Sequence, residues 1–172
     1  MYPTRVSLGQ QHQFKIIDFG QSFFHDDVPE TLETPVVFQA PELVFGDKLD
    51  YRVDLWSMGC MIYELVVGQP SFDALIATRV SVVQQMLEST SDELPERWQQ
   101  KWRTMDSEWT GKSENKFQEW LEESYFYNER KQGLTREDVI KVGALVCRLL
   151  RFEPSTRASV QEVQQDPWLR DV

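Results

Sequence analysis

Four short segments of this 172-residue chain carry the residue types that could do chemistry. They are Asp18-Phe19-Gly20, Ala40-Pro41-Glu42, Asp54-Leu55-Trp56-Ser57-Met58-Gly59, and Arg157 within Phe152-Glu153-Pro154-Ser155-Thr156-Arg157-Ala158-Ser159. What they offer is carboxylates and one guanidinium. Singly, each has a plain reading. Asp18 is a turn residue that binds nothing, Asp54 is a helix acid favoured by the macrodipole, and Glu42 and Arg157 are two solvated charges. In order, with 22 positions from Asp18 to Ala40, they form a set. Other chemistries have less to stand on. The only histidines, His12 and His25, have no Cys or second His at ligand spacing, which speaks against a zinc site. A Ser–His–acid hydrolase lacks a nucleophile elbow to start from.

The elements that must position these residues can be read from periodicity. Gln13 to Ile17 is a short β-branched and aromatic run ending at Asp18-Phe19-Gly20, which predicts a strand and a turn. Gln21 to Gln39 has no periodicity and contains Pro29 and Pro35, so it is a long loop of a functional kind. Leu49 to Val67 is the strongest helix. Over Val53 to Val67, 11 of 15 positions are apolar around the whole circumference, the mark of a buried helix. It is too short and interrupted to span a bilayer, and Gly68 and Pro70 stop it. Ala74 to Leu87 has moderate helical spacing. Trp98 and Trp102, at i and i+4, share a face in a charged stretch from Leu94 to Phe126 that also holds Trp109 and Trp120. Thr135 caps a helix through Val139, Val142, Val146, Leu149 and Leu150, with Asp138 in the capping-box position. Pro154 ends that helix, and a short one follows from Ser159 to Gln165. The fold class is mainly α, a helical body around one buried central helix with a scrap of sheet before Asp18.

Composition narrows the function classes. The 18 cations against 28 acids leave a net charge of −10, which offers no general surface for a nucleic-acid backbone. Cys60 and Cys147 sit in apolar helical patterns, as core thiols of a reducing compartment do, and Met1 to Arg5 does not resemble a signal peptide. The expected location is intracellular, cytoplasmic or nuclear, without a membrane partner.

The ordered segments resemble the eukaryotic protein kinases, specifically the C-terminal lobe from the Asp-Phe-Gly motif onward, over roughly residues 14 to 169. The insert opening with Leu94-Pro95-Glu96-Arg97-Trp98 is more similar to the SR-protein-kinase branch than to the shorter generic form. The resemblance implies ATP and Mg²⁺ as cofactors, with Asp18 holding the metal against the phosphates. It gives Phe19 the packing that sets the active or inactive state, and Gly20 the turn that aims the carboxylate. Glu42 would pair with Arg157 and tie the substrate-binding segment to the lobe, while Asp54 would anchor the catalytic loop and Trp56 belongs to the same helix motif. Residues 1–20 would be the end of the catalytic loop, a short strand and the Asp-Phe-Gly turn, residues 21–42 the activation segment, and 43–172 the helical lobe with its insert at about 94–126.

The sequence also departs from that pattern. It contains no Gly-rich loop, strand lysine or helix glutamate, and no acid precedes Asp18. With Pro3 aligned on the catalytic-loop proline, Arg5 takes the place of a metal-binding Asn and the catalytic base would fall before Met1. Pro35 replaces a threonine and Phe38 a tyrosine in the substrate segment Pro35, Phe38, Ala40 and Pro41, which removes a hydroxyl contact. Ser22, Thr31 and Thr34 could be activation-loop phosphosites. The acids from Asp26 to Glu33 read as a solvated face, and the tryptophans as packing for the insert. Three readings remain: part of a serine/threonine kinase, a truncated pseudokinase acting as a protein-binding module, or a chain without stable function that exposes apolar surface. As it stands the chain is expected to transfer no phosphate, and its acidity suits basic, Arg-rich protein partners.

Overall fold

Short-range chemistry sets most helix boundaries in the computed structural model, which describes residues 15–73, 76–90, 92–108, 117–127 and 133–170. Pro41 opens α1 (Pro41–Phe45), where its missing N–H costs nothing, and Gly46 closes it at φ 61°. Helix α2 (Arg52–Val67) ends at Gly68, φ 84°, whose N–H bonds the Glu64 carbonyl. Thr78 caps α3 (Arg79–Ser89) by a reciprocal box with Ser81. Helices α4 (Glu96–Met105) and α5 (Phe117–Tyr127) form the insert. The Thr135–Asp138 capping box opens α6 (Arg136–Leu149) as its spacing predicts, and Ser159 with Glu162 does the same for α7 (Val160–Gln164). A last turn, α8 (Pro167–Arg170), follows. Helix α6 stops at Leu149, ahead of Pro154, because Leu150 already leaves helical geometry.

The core lies where α2, α5 and α6 meet, with Trp56, Tyr63, Phe117, Leu145 and Leu149 buried there. Close approach depends on two glycines. A Cβ on Gly59 of α2 would meet Leu150 Cδ2 at 2.8 Å, and one on Gly143 of α6 would meet Leu121 Cδ2 of α5 at 2.9 Å. The insert is packed as its aromatic spacing predicts. Trp98 and Trp102 are buried, and Trp120 stacks on Tyr63 with ring centroids 4.8 Å apart. Trp109 lies outside the described residues. The thiols are free, and burial raises Cys60 to about 12 and Cys147 to about 11.

Two expectations are corrected. The strand of residues 13–17 is not formed over Lys15–Ile17. A strand needs a partner, none exists among the described residues, and Ile16 and Ile17 are exposed. Residues 13 and 14 lie outside the description, and the one β feature within it is an isolated bridge between Phe24 and Asp27. Helix α2, expected to be buried all round, exposes Met61 and Leu65 on the face that no described residue covers. Among the described residues no helix is long and apolar enough to cross a membrane.

The contact at Gly59 yields a test. Gly59→Ala pushes a methyl into Leu149 and Leu150, which are fully packed, and should cost about 1–3 kcal/mol. A lower urea midpoint with an unchanged m-value would register it.

Candidate functional site

Asp18 is the one described residue other than glycine with a positive φ, at 65°. The left-handed conformation costs an L-residue about 1 kcal/mol or more, although Asp tolerates it better than most. The chain then enters a 3₁₀ turn at Phe19–Gln21, held by the Ser22 N–H donating to the Phe19 carbonyl at 3.1 Å. Gly20 does not take the strained conformation that its type suggested. Nor does space demand it, since a Cβ there would make only an ordinary contact, 3.6 Å from the Asp18 carboxylate. Phe19 is exposed. Asp18 lines a cleft of about 840 Å³ with Ile17, Phe23, Val28, Lys48 and Asp54 around it.

The donor set can be tested against Mg²⁺. Among the described residues no group of three or more His, Cys, Asp or Glu converges as a complete cage. Mg²⁺ bound to nucleotide does not require one, because it takes one or two carboxylates and completes its shell with phosphate oxygens and water. Asp18 on the open cleft fits that share.

Glu42 and Arg157, 115 positions apart, meet as a bidentate pair. Arg157 Nη1 donates to Oε1 at 2.7 Å and Nη2 to Oε2 at 2.6 Å, with side chains 0% and 2% exposed. Nη1 also donates to the Arg52 carbonyl at 2.7 Å and Nε to the Arg151 carbonyl at 3.0 Å. The guanidinium lies over the Trp56 ring, 5.2 Å from its centroid, and Trp56 stacks on Phe72. One arginine thus joins α1, the start of α2 and the loop after α6. That loop is fixed in turn by Asp92, which accepts the Phe152 N–H at 3.1 Å and pairs with Arg151 at 2.8 Å; burial pushes the Asp92 carboxyl up. Asp54 sits exposed in the first turn of α2. Arg5 lies outside the described residues.

Just before α1, Pro35 starts a 3₁₀ turn over Val36–Phe38, its carbonyl accepting the Phe38 N–H at 2.9 Å. Gln39 Nε2 donates to the Thr34 carbonyl at 2.8 Å. Phe38 is half-buried, and Ala40 and Pro41 are buried.

Sequence reasoning missed a second set of contacts at the far end of α1. Arg97 of α4 donates from Nε to Asp47 at 2.6 Å and from Nη1 to Glu153 at 2.6 Å. Trp98 Nε1 donates to the same Asp47 oxygen at 2.9 Å. Burial raises Asp47, but hydrogen bonds from Arg97, the Lys48 backbone and Trp98 outweigh it and hold the carboxyl below its usual range. Arg97 likewise lowers Glu153, and Glu153 and Asp47 raise Arg97. Only the shared face of Trp98 and Trp102 hinted that α4 docks anywhere.

Comparison with known families decides what this arrangement belongs to. A family model described as the protein kinase domain matches residues 6–169. The chain belongs to the protein kinase family. It is 24% identical over 175 residues to the serine/threonine-protein kinase SRPK of Physarum polycephalum, an alignment covering 92% of this chain and 38% of that kinase. It is 35% identical over 96 residues to the G2-specific protein kinase nim-1 of Neurospora crassa, covering 54% of this chain and 11% of that one. It is 40% identical over 70 residues to the dual specificity tyrosine-phosphorylation-regulated kinase mbk-2 of Caenorhabditis elegans, covering 40% and 9%. The kinase chain therefore spans from about a tenth to two fifths of these relatives. Its helical architecture is that of a kinase C-terminal lobe.

Two predictions concern the ion pairs of this kinase lobe. Arg157→Ala leaves Glu42 charged and buried and should cost about 3–5 kcal/mol, while Glu42→Ala should cost a similar amount for the same reason. Chemical denaturation of the two single variants and the double variant would show it, with the double costing much less than the sum. Asp47 and Glu153 have depressed folded pKa values, so their contribution is present above their ordinary values of 3.8 and 4.5 and is lost as pH falls through the lower folded values. Stability measured from pH 6 down to about pH 3 should therefore fall less steeply in Arg97→Met than in the wild type.

Proposed function

We propose that the chain is the helical lobe of an ATP-dependent serine/threonine kinase whose nucleotide-clasping parts are not among these 172 residues. The observation that supports this reading best is that one scaffold holds both candidate halves of the reaction. Asp18 faces an open cleft, and the segment from Pro35 to Pro41 leads straight into the helix fixed by Glu42 and Arg157. Bound Mg²⁺·ATP would supply an electrophilic γ-phosphoryl group with its charge neutralised. Asp18 would hold the metal's protein side. The segment from Pro35 to Pro41 receives the protein substrate and sets the approach of its hydroxyl. Positioning and electrostatics supply nearly all of such catalysis, so a lobe carrying only these parts should bind more than it catalyses. The net charge of −10 favours basic, Arg-rich substrates.

A second reading rests on Pro35. It brings neither a hydroxyl nor an N–H to the segment that leads into α1, which suits a pseudokinase that docks a partner protein without phosphorylating it.

Both readings meet the same assay. The 172-residue chain, given labelled ATP, Mg²⁺ and a peptide of alternating arginine and serine, should incorporate no phosphate. The product of any longer reading frame that supplies a Gly-rich loop, a strand lysine and a catalytic aspartate should label the peptide, and Asp18→Asn should reduce that rate by at least about 100-fold. Peptide binding by the longer product without labelling would select the pseudokinase reading. Labelling by the 172-residue chain itself, abolished in Asp18→Asn, would overturn the assignment of the missing parts.

A further inference from the structure

Helix α1 is five residues long, far too short to hold its shape alone, so something at each end must fix it. At its first turn that is the Glu42–Arg157 pair. At its last turn the orphan carbonyl of Phe45, which no helical N–H can reach, accepts from Lys101 Nζ of α4 at 2.8 Å. Trp98 lies flat on the Phe45 ring, with centroids 5.0 Å apart and planes within 8°. Gly46 turns the backbone at φ 61° directly under the Lys101 ammonium, and a Cβ there would come within 3.4 Å of Nζ. The next residue, Asp47, takes both the Trp98 Nε1 and the Arg97 Nε on one oxygen. The Arg97 guanidinium also covers the Trp98 ring at 4.5 Å and reaches Glu153 with its remaining fork. Glu153 is four residues from Arg157, so both ends of α1 are tied to a single loop.

We propose that the insert helix α4 is a second anchor of the substrate-binding segment, with Arg97 its positioning residue, Asp47 and Glu153 its receivers, and Trp98 and Lys101 its packing and capping groups. The functional part of this statement rests on the reading of Pro35 to Pro41 as the segment that meets substrate. The anchor itself does not. Arg97 works by spanning two carboxylates that belong to different parts of the chain, 50 and 56 positions away, which a lysine's single ammonium on a flexible stem does not do equally well. Removing it leaves the buried pair intact but frees the end of α1 from the loop, and the freedom propagates to the five preceding residues because the helix moves as one turn.

The test uses the whole chain and reads backbone exchange locally. The amides of Gly46 and Asp47 bond the carbonyls of Leu43 and Glu42 at 3.3 and 2.8 Å, and their exchange reports on the last turn of α1. In Arg97→Met these amides should exchange about tenfold faster, with α2 and α6 within about twofold of wild type. Arg97→Lys should restore part of the protection, and Glu153→Gln should reproduce part of the loss in case the Met substitution acts through packing on Trp98. Unchanged exchange at Gly46 and Asp47, or an equal rise across α2 and α6, overturns the anchor. A fluorescein-labelled peptide of alternating arginine and serine supplies the functional arm. Weaker binding by at least about threefold in Arg97→Met supports the positioning role. Faster exchange with unchanged peptide affinity, or no peptide binding by any variant, overturns the substrate reading of the segment while the exchange result still decides the anchor.

Discussion

A bidentate ion pair sealed from water is the constraint on which the rest of this structure turns. Taking a carboxylate and a guanidinium out of solvent costs several kcal/mol for each ion, and their attraction offsets this only when every remaining donor is also satisfied. Arg157 comes close to that condition, with four of its five N–H groups bonded: two to Glu42, one to the Arg52 carbonyl and one to the Arg151 carbonyl. These partners lie on three separate stretches of chain, so satisfying the arginine fixes α1, the head of α2 and the loop after α6 relative to one another. A planar fork also sets rotation. Two apolar side chains of the same volume would bury as much surface but would let α1 turn about its contact, and the residues preceding α1 would turn with it.

The firmness that this pair provides is unevenly distributed. On the α1 side, polar groups find partners: the Phe45 carbonyl with Lys101, Asp47 with Arg97 and Trp98, Gln39 with the Thr34 carbonyl. On the Asp18 side, Ile16, Ile17, Phe19 and Phe24 stand in solvent. The structure therefore separates a segment held by charge and hydrogen bonds from a cleft margin held by little. On the reading proposed above, the first would present a substrate in fixed geometry. The second is the kind of surface that another part of a protein covers.

How much of this was legible in the sequence depended on range. Features that need only three or four neighbours could be read directly: the Thr135–Asp138 box, Gly68 after α2, and the common face of Trp98 and Trp102. The Thr78–Ser81 box escaped because serine is an unusual third residue, although it reaches back as a glutamate would. Helix α2 was expected to be buried all round because its composition is apolar around the circumference, but composition does not say which face has a neighbour. The run ending at Ile17 had the residues of a strand and no strand to pair with. Glycine was expected to absorb the turn at Gly20, yet Asp18 carries the positive φ, an outcome a short polar side chain permits and sequence alone does not reveal. Glu42 and Arg157 could be paired across 115 positions only because each stands in an ordered motif. Arg97, Asp47 and Glu153 stand in no such order, and three charges spaced along an acidic chain look like any others.

Pro35 shows what shape the segment before α1 keeps without a hydroxyl at that position. A threonine there would offer a hydroxyl and an N–H, whereas proline offers only its carbonyl, and that carbonyl is already occupied by the Phe38 N–H. Position 35 therefore brings no hydroxyl or N–H of its own to a neighbouring group. The shape nevertheless survives, because proline brings a preset φ, here −53°, to the residue that opens the 3₁₀ turn, and Gln39 closes the same turn through the Thr34 carbonyl. The segment enters α1 between its own internal bonds on one side and the Glu42–Arg157 pair on the other. On the reading proposed above, presentation of a surface and stabilisation of a transferring group would be separable here: internal bonds order the backbone that a docked peptide would meet, while position 35 brings no hydroxyl to it.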